Sequence, residues 1–164
     1  MAKYPTSPAE PPSKDQWDLN HFRFAQMPVM WFATAIGLLD AAALIYFSAA
    51  EQADRYQRAS DEAAVRARAR LAETEDSMTI EPIDEIEPRF LPAFMMYGFA
   101  IENLLKGIIV MNNPGLVKDD AIGVPATHDL VRLASAANFS PTAEEAKLLD
   151  ALSTITVWSG RYPV

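Results

Sequence analysis

The sequence predicts an all-α protein, an up-and-down bundle of four to five helices. Apolar residues recur at helical spacing over residues 28–50, 92–111, 130–137 and 148–155, with polar breaks between these segments. No run of alternating apolar and polar residues is long enough to predict a strand. Since half of its 164 residues are apolar, the chain is expected to form one domain around a continuous core.

Composition restricts the classes of function. The chain has no cysteine, which excludes disulfides, thiolate metal sites and cysteine nucleophiles. It has two histidines and no metal-ligand spacing or glycine-rich phosphate loop, so no metal or cofactor is expected. The formal net charge of −8 disfavours non-specific attraction to nucleic acid. The first 16 residues lack the apolar core of a signal peptide, which together with the missing cysteine predicts a cytoplasmic protein.

The chain divides into a tail and one domain. Residues 1–16 contain four prolines among serine, threonine and lysine, which is typical of a flexible tail. Residues 17–164 are expected to form the single helical domain. Within it, residues 51–87 predict a charged helix followed by an acidic loop, and residues 88–164 predict the core of the bundle.

The first helix is expected to begin at Pro28, whose missing N–H needs no partner in the first turn. Residues 28–50 carry Asp40 as their only charge, and ~20 apolar residues can cross a bilayer. Asp40 near the bilayer centre would cost roughly 2.5–3.5 kcal/mol, and no Lys or Arg cluster flanks the segment. The sequence therefore favours a buried helix of a soluble protein over a membrane span.

The sequence predicts that two sets of residues on this helix contact a neighbouring helix. The inner face carries Phe32, Ile36, Leu39, Ala43 and Tyr46. A track of small residues for close helix packing carries Ala35, Ala42 and Ala49.

The alanine- and charge-rich residues 51–76 have high helix propensity. They either continue the first helix or form a second one that restarts at Ser60-Asp61. Arg66, Arg68 and Arg70 form the only basic cluster, and their guanidinium groups match the geometry of phosphate. The favoured interpretation is an exposed helix face compensated by neighbouring acids, and the alternative is a contact to RNA.

A second long helix is expected to open at Pro88 or Pro92 and to run to about Met111. Residues 112–115 (Asn-Asn-Pro-Gly) are a strong stop signal. Apolar residues cover this helix nearly all round, which predicts a position at the centre of the core.

Two shorter helices follow. Thr127 is expected to cap the first of them, with Asp129 in its first turn. Thr142 and Glu145 have the spacing of a capping box at the start of the second. Gly160 is expected to end that helix.

Four polar residues are candidates for a site. Glu102 and Lys106 lie four residues apart on the apolar central helix, with Asn103 beside them, and buried charges normally persist only when paired. They form either a structural ion pair, which is favoured, or a polar site for a ligand or partner subunit. His128, in the first turn of the next helix, is either a general base kept neutral by the helix N-terminus or, as favoured, a residue that orders the turn.

Arg161 and Tyr162 follow the expected helix end. Arg161 is either a phosphate-directed guanidinium or a side chain that bonds the last carbonyls of its own helix. The sequence leaves both interpretations open.

Three segments in this order resemble the HEPN superfamily of helical bundles: YGFAIENLLKGIIV at 97–110, THDLVRLA at 127–134 and GRYP at 160–163. The resemblance covers residues 88–164. It implies a four- or five-helix bundle that forms homodimers. Many members of the superfamily act in prokaryotic toxin–antitoxin and other defence systems as metal-independent ribonucleases, and others are non-catalytic modules associated with RNA or nucleotides.

The ribonuclease members carry an Arg followed four to six residues later by a His. Arg161 is the nearest candidate, but none of the residues that follow it is a histidine, and His128 matches a different segment of the family. The resemblance therefore implies a non-catalytic or degenerate module that binds RNA, a nucleotide or a protein such as an antitoxin or a nucleotidyltransferase-like partner. The alternatives are an endoribonuclease toxin that uses Arg161 and His128, and a protein attached to a membrane through residues 28–50. The candidate binding residues are Glu102, Asn103, Lys106, Asp129 and Tyr162.

Overall fold

A computed structural model of the chain describes residues 23–73, 83, 85–118 and 121–159. Its helices are α1 (Pro28–Glu73), α2 (Leu91–Asn112), α3 (Leu130–Ala136) and α4 (Ala143–Ser159), and residues 23–25 are also helical. The all-α prediction is confirmed for these residues. The predicted tail at 1–16, most of the acidic loop and the end of the chain from Gly160 lie outside the described residues.

α1 is one continuous helix of 46 residues, about 69 Å long at 1.5 Å per residue. The prediction that residues 51–76 continue the first helix is confirmed as far as Glu73, and no break occurs at Ser60-Asp61. α2 has 22 residues and runs antiparallel to α1, because Gly107 lies against Phe32 while the ring of Phe94 lies near that of Tyr46. α2 therefore reaches along only the N-terminal half of α1.

The contact between α1 and α2 is built on small residues. Ala35, Ala42 and Ala49 are buried and recur every seven residues, which keeps them on one side of α1. The predicted small-residue track is thus confirmed. The predicted inner face is wrong in part, because Ile36, Leu39 and Tyr46 are exposed. Alanines bring the two backbones close together, and this rotates the larger side chains outwards.

α2 also packs against α3 and α4 on its other sides, as expected for the central helix. Gly98 lies against Leu152 and Thr156 of α4, where a Cβ at residue 98 would overlap the Thr156 hydroxyl. The largest fully buried side chains are Val110, Leu130 and Leu133. The core of the described part thus lies between α2, α3 and α4.

The start of α3 differs from the prediction. Asp129, not Thr127, is the N-cap, since its carboxylate accepts a hydrogen bond from the Arg132 backbone N–H at 2.9 Å. The Thr127 hydroxyl accepts a hydrogen bond from the Asp129 backbone N–H at 3.0 Å. This bond closes a turn that places Asp129 at the cap position. Asn138 ends the helix in the left-handed region with φ of 59°, as asparagine can.

The capping box predicted for α4 is confirmed. The Thr142 backbone N–H donates to the Glu145 carboxylate at 2.8 Å, and the Glu145 N–H donates to the Thr142 hydroxyl at 3.3 Å. The bonds from the backbone and hydroxyl of Thr142 hold the pKa of Glu145 below its usual value. A carboxyl with a lowered pKa stabilises the fold above its unfolded pKa, and this contribution is lost as the pH falls through the lowered pKa.

The connection between α2 and α3 contains some short regular structure. A 3₁₀ turn covers Pro114–Leu116. Strands β1 (Val117–Lys118) and β2 (Ala121–Ile122) pair antiparallel, with Val117 opposite Ile122. The connection leads the chain back to the start of α3, beside α2.

Candidate functional site

A buried carboxylate links α2 to the start of α3. Glu102 is 6% exposed, and both of its oxygens have partners. Oε1 accepts from Lys106 Nζ at 2.6 Å, and Oε2 lies 2.8 Å from His128 Nδ1. The i,i+4 ion pair of the sequence is therefore present, and His128 is a third member of the network.

The network fixes which edge of the His128 ring faces outwards. A carboxylate that pairs with an ammonium group only accepts hydrogen bonds, so the bond between Glu102 Oε2 and the imidazole is assigned with the Nδ1–H of His128 as the donor. Phe99 contacts the imidazole edge-on, with ring centroids 6.2 Å apart. The Nε2 edge points away from Glu102, and the His128 side chain is 44% exposed. His128 itself precedes α3, outside the first turn where the sequence placed it.

An open pocket of about 480 Å³ lies beside this imidazole. It is lined by Ala126, Thr127, His128, Asp129, Asp150, Ser153, Thr154 and Val157. A carboxylate-held imidazole next to a hydroxyl is the arrangement by which a serine nucleophile is activated. Here Ser153 Oγ already donates to the Leu149 carbonyl at 2.7 Å and accepts from the Leu130 N–H at 2.9 Å. Ser153 thus joins α4 to α3, and the pocket is better suited to binding than to nucleophilic catalysis.

Asn103 is separated from this network. Its side-chain amide donates to the Phe99 carbonyl at 2.8 Å. It lines a smaller, mostly apolar pocket of about 230 Å³ between α1 and α2, with Phe24, Met30 and Trp31. The structure therefore brings Glu102, Lys106, His128 and Asp129 together where the middle of α2 meets the start of α3, and Asn103 lies outside this group. Arg161 and Tyr162 lie outside the described residues.

The second notable feature is an apolar surface that the sequence interpretation treated as buried. Val29, Ile36, Leu44 and Phe47 are 57%, 60%, 73% and 66% exposed. They lie on the side of α1 opposite the alanine track, and we call them the outer face of α1. Asp40 is exposed among them. The sequence did contain a signal for this face. Apolar residues occur on nearly every side of residues 28–47, whereas packing through the alanine track buries only one side of the helix.

Two described helices, α1 and α2, are long and apolar enough to cross a membrane by length and composition. The most apolar window of α1 has a mean hydropathy of 1.8 and is 11% buried, whereas that of α2 has 1.4 and is 39% buried. The prediction of a buried first helix is thus wrong for most of its surface in the single chain. Contiguous exposed apolar surface marks contacts with proteins or membranes.

The arginine cluster of α1 lies on an exposed face, as expected. Arg66, Arg68 and Arg70 are exposed, and Arg66 pairs with Glu62 at 3.7 Å. Neighbouring acids thus compensate at least part of this charge. An exposed pair of this kind contributes little to stability.

No family model, curated protein or solved structure matches the chain. Within the described ranges no group of three His, Cys, Asp or Glu residues could hold a metal ion. Function is therefore inferred from the side chains and surfaces above.

Proposed function

We propose that the protein is a cytoplasmic, non-catalytic HEPN-like helical module that acts by binding proteins, in the first place a second copy of itself. The observation that carries the proposal is the outer face of α1. Its four large apolar side chains are exposed along one helix whose opposite side packs on α2. Burying a large apolar side chain contributes roughly 1.5–3 kcal/mol, so covering this face is strongly favourable.

The HEPN-like part of the proposal is supported by how the resembling segments are used. Residues 97–110 form most of the central helix, and residues 127–134 lead into α3. Glu102 and His128 join these segments directly. In a toxin–antitoxin or related defence setting, the outer face of α1 offers a surface for a homodimer or for an antitoxin-like partner.

A protein partner is favoured over RNA or a nucleotide by charge. Among the described residues, the lining of the pocket beside His128 includes the carboxylates of Asp129 and Asp150 and no Lys or Arg. Phosphate groups are bound mainly by Arg, Lys and backbone N–H groups. The formal net charge of −8 acts in the same direction.

Phe47→Glu is expected to weaken self-association by roughly a hundredfold or more, because it removes an aromatic ring that the dimer would bury and places a charge in that apolar contact. Sedimentation equilibrium over a range of protein concentrations measures the dissociation constant of the dimer. Circular dichroism of the variant should match the wild type, since Phe47 does not contribute to the core of the single chain.

Leu148→Glu is the matched control. Leu148 is an exposed leucine on α4, on a different side of the bundle, and its replacement should leave the dimer unchanged. A wild-type protein that stays monomeric at all concentrations, or a control variant that dissociates as Phe47→Glu does, would contradict the proposed self-association.

Membrane attachment through residues 28–50 is the second candidate, favoured by the high mean hydropathy and low burial of that part of α1. Asp40 on the same exposed side opposes it. We expect the protein to stay in solution without detergent and not to float with vesicles of phosphatidylcholine and phosphatidylglycerol. Flotation that increases in Asp40→Leu would instead support the membrane and contradict the proposed cytoplasmic location.

A further inference from the structure

The outer face of α1 contains a charge that a purely apolar contact would leave unmatched. Asp40 is exposed between Ile36 and Leu44 of that face and is the only charged residue at 28–50. Among the described residues, its carboxylate has no ion pair or hydrogen bond. Because burying an unpaired carboxylate is costly, a partner that covers this face must supply a cation for Asp40.

A cation without a partner lies beside the same face. A cleft of about 410 Å³ is lined by Leu44, Ser48 and Arg89, together with apolar and uncharged residues. Arg89 is exposed, and among the described residues its guanidinium has no ion pair or hydrogen bond. Ser48 follows Asp40 by eight residues, about 12 Å along the helix at 1.5 Å per residue. The two unmatched charges are therefore separated along α1 instead of forming a pair within one chain.

We infer that in the proposed homodimer Asp40 of one protomer pairs with Arg89 of the partner subunit, in an antiparallel contact of the two α1 helices centred at Leu44. The inference rests on the proposed function, since it specifies the contacts that self-association through the outer face makes. A two-fold axis at Leu44 brings Asp40 of each protomer level with Ser48 of the other, because each lies four residues from the centre. Arg89 borders the cleft at Ser48, and a guanidinium matches the geometry of a carboxylate.

Charge favours this register over the other symmetrical ones. A parallel contact, or an antiparallel contact centred at Asp40, would place the two Asp40 carboxylates beside each other, and like charges across an interface are strongly unfavourable. Centring the contact at Leu44 separates the carboxylates and buries the most exposed of the four outer-face side chains, at 73%.

The occupant is a second copy of this chain because one surface carries both an anion and a cation that complements it. A two-fold interface requires such self-complementarity, since the same patch of both protomers takes part. The axis also forms the pair twice, once on each side of Leu44.

The test uses two charge reversals, Asp40→Arg and Arg89→Glu. Each variant alone puts charges of the same sign at both symmetrical contacts, and its dimer should dissociate about ten- to a hundredfold more readily than the wild-type dimer. Sedimentation equilibrium measures this change. Circular dichroism should match the wild type, because both side chains are exposed.

An equimolar mixture of the two variants gives the decisive result. A heterodimer has opposite charges at both contacts, since one variant supplies two cations and the other supplies two anions. Its dissociation constant should return to within about threefold of the wild-type value, as expected for residues that interact directly. Native mass spectrometry distinguishes this heterodimer from either homodimer by mass. A pair formed within one chain would gain nothing from mixing.

Arg132→Glu is the matched control. Arg132 is an exposed arginine on α3, which packs on α2 and α4, so the same reversal there should leave the dissociation constant unchanged and should not rescue Asp40→Arg in a mixture. Absence of the heterodimer, or equal weakening by Arg132→Glu, would overturn the inference while a wild-type dimer sensitive to Phe47→Glu upholds the proposed function. A monomeric wild type would instead contradict the proposed function itself.

Discussion

Glu102→Ala is expected to lower the free energy of unfolding by roughly 2–4 kcal/mol. The substitution leaves Lys106, whose side chain is 15% exposed, without the acceptor that holds it at 2.6 Å. It also removes the link from α2 to the chain entering α3 through His128. Breaking a mostly buried pair costs about 3–5 kcal/mol, and the lower value here reflects the partial exposure of His128. Urea denaturation followed by circular dichroism measures the change.

Two further variants identify the cause. Glu102→Gln keeps the volume and one acceptor, so it should cost less than Glu102→Ala. Glu102→Leu with Lys106→Leu removes both charges, and replacement of a buried pair by apolar residues is often close to neutral. This double variant should therefore be more stable than Glu102→Ala alone. If Glu102→Ala were as stable as the wild type, the network would have no structural role.

Gly107→Ala is expected to destabilise the protein by about 1–3 kcal/mol through overpacking. A Cβ at this position would lie 2.6 Å from Phe32 Cε1 and 2.9 Å from Trp31 Cβ. The Phe32 ring can turn away, but Trp31 Cβ is fixed to the backbone of α1, so the two helices must separate. Alanine is intrinsically better than glycine in a helix by about 1 kcal/mol, and the expected loss outweighs that gain. Thermal and urea denaturation both measure it.

Gly37→Ala is the matched control on α1. Apart from the adjacent residues and the backbone of α1 itself, no atom lies within 4 Å of the position that its Cβ would take. Only the helix propensity therefore changes, and the variant should be more stable by about 0.5–1 kcal/mol. Equal stabilisation by both alanines would mean that α1 and α2 do not approach closely at Gly107.

The features that the sequence predicted well depend on short-range chemistry. The capping box of Thr142 and Glu145 and the stop at 112–115 are set by residues a few positions apart, and helix ends obey such local rules. The cap of α3 was missed by two residues, because a hydroxyl and a carboxylate two positions apart can both fill the role. Only the preceding turn decides between Thr127 and Asp129.

The features that it did not predict depend on the approach of distant segments. Glu102 and His128 are 26 residues apart, and no local pattern places them together. The prediction of which side of α1 faces α2 was wrong in part. Hydrophobicity alone favours burying Ile36, but the close approach of the α1 and α2 backbones requires a small side chain at the contact, so Ala35 is buried and Ile36 is exposed. Helix packing is decided by shape as well as by apolar character.

α1 is a single element in its geometry, but its two halves differ in how they are stabilised. α2 begins at Leu91 beside Gln52, where Arg89 and Pro92 border the same cleft, so residues 53–73 extend about 30 Å past it. Residues up to Ala49 are held by tertiary packing, which supplies most helical stability in proteins. Beyond that point the helix depends mainly on alanine propensity and side-chain pairs such as Glu62–Arg66. Backbone amides should therefore exchange with solvent progressively faster from Ala49 towards Glu73, so that fraying starts at the far end and stops where α2 begins.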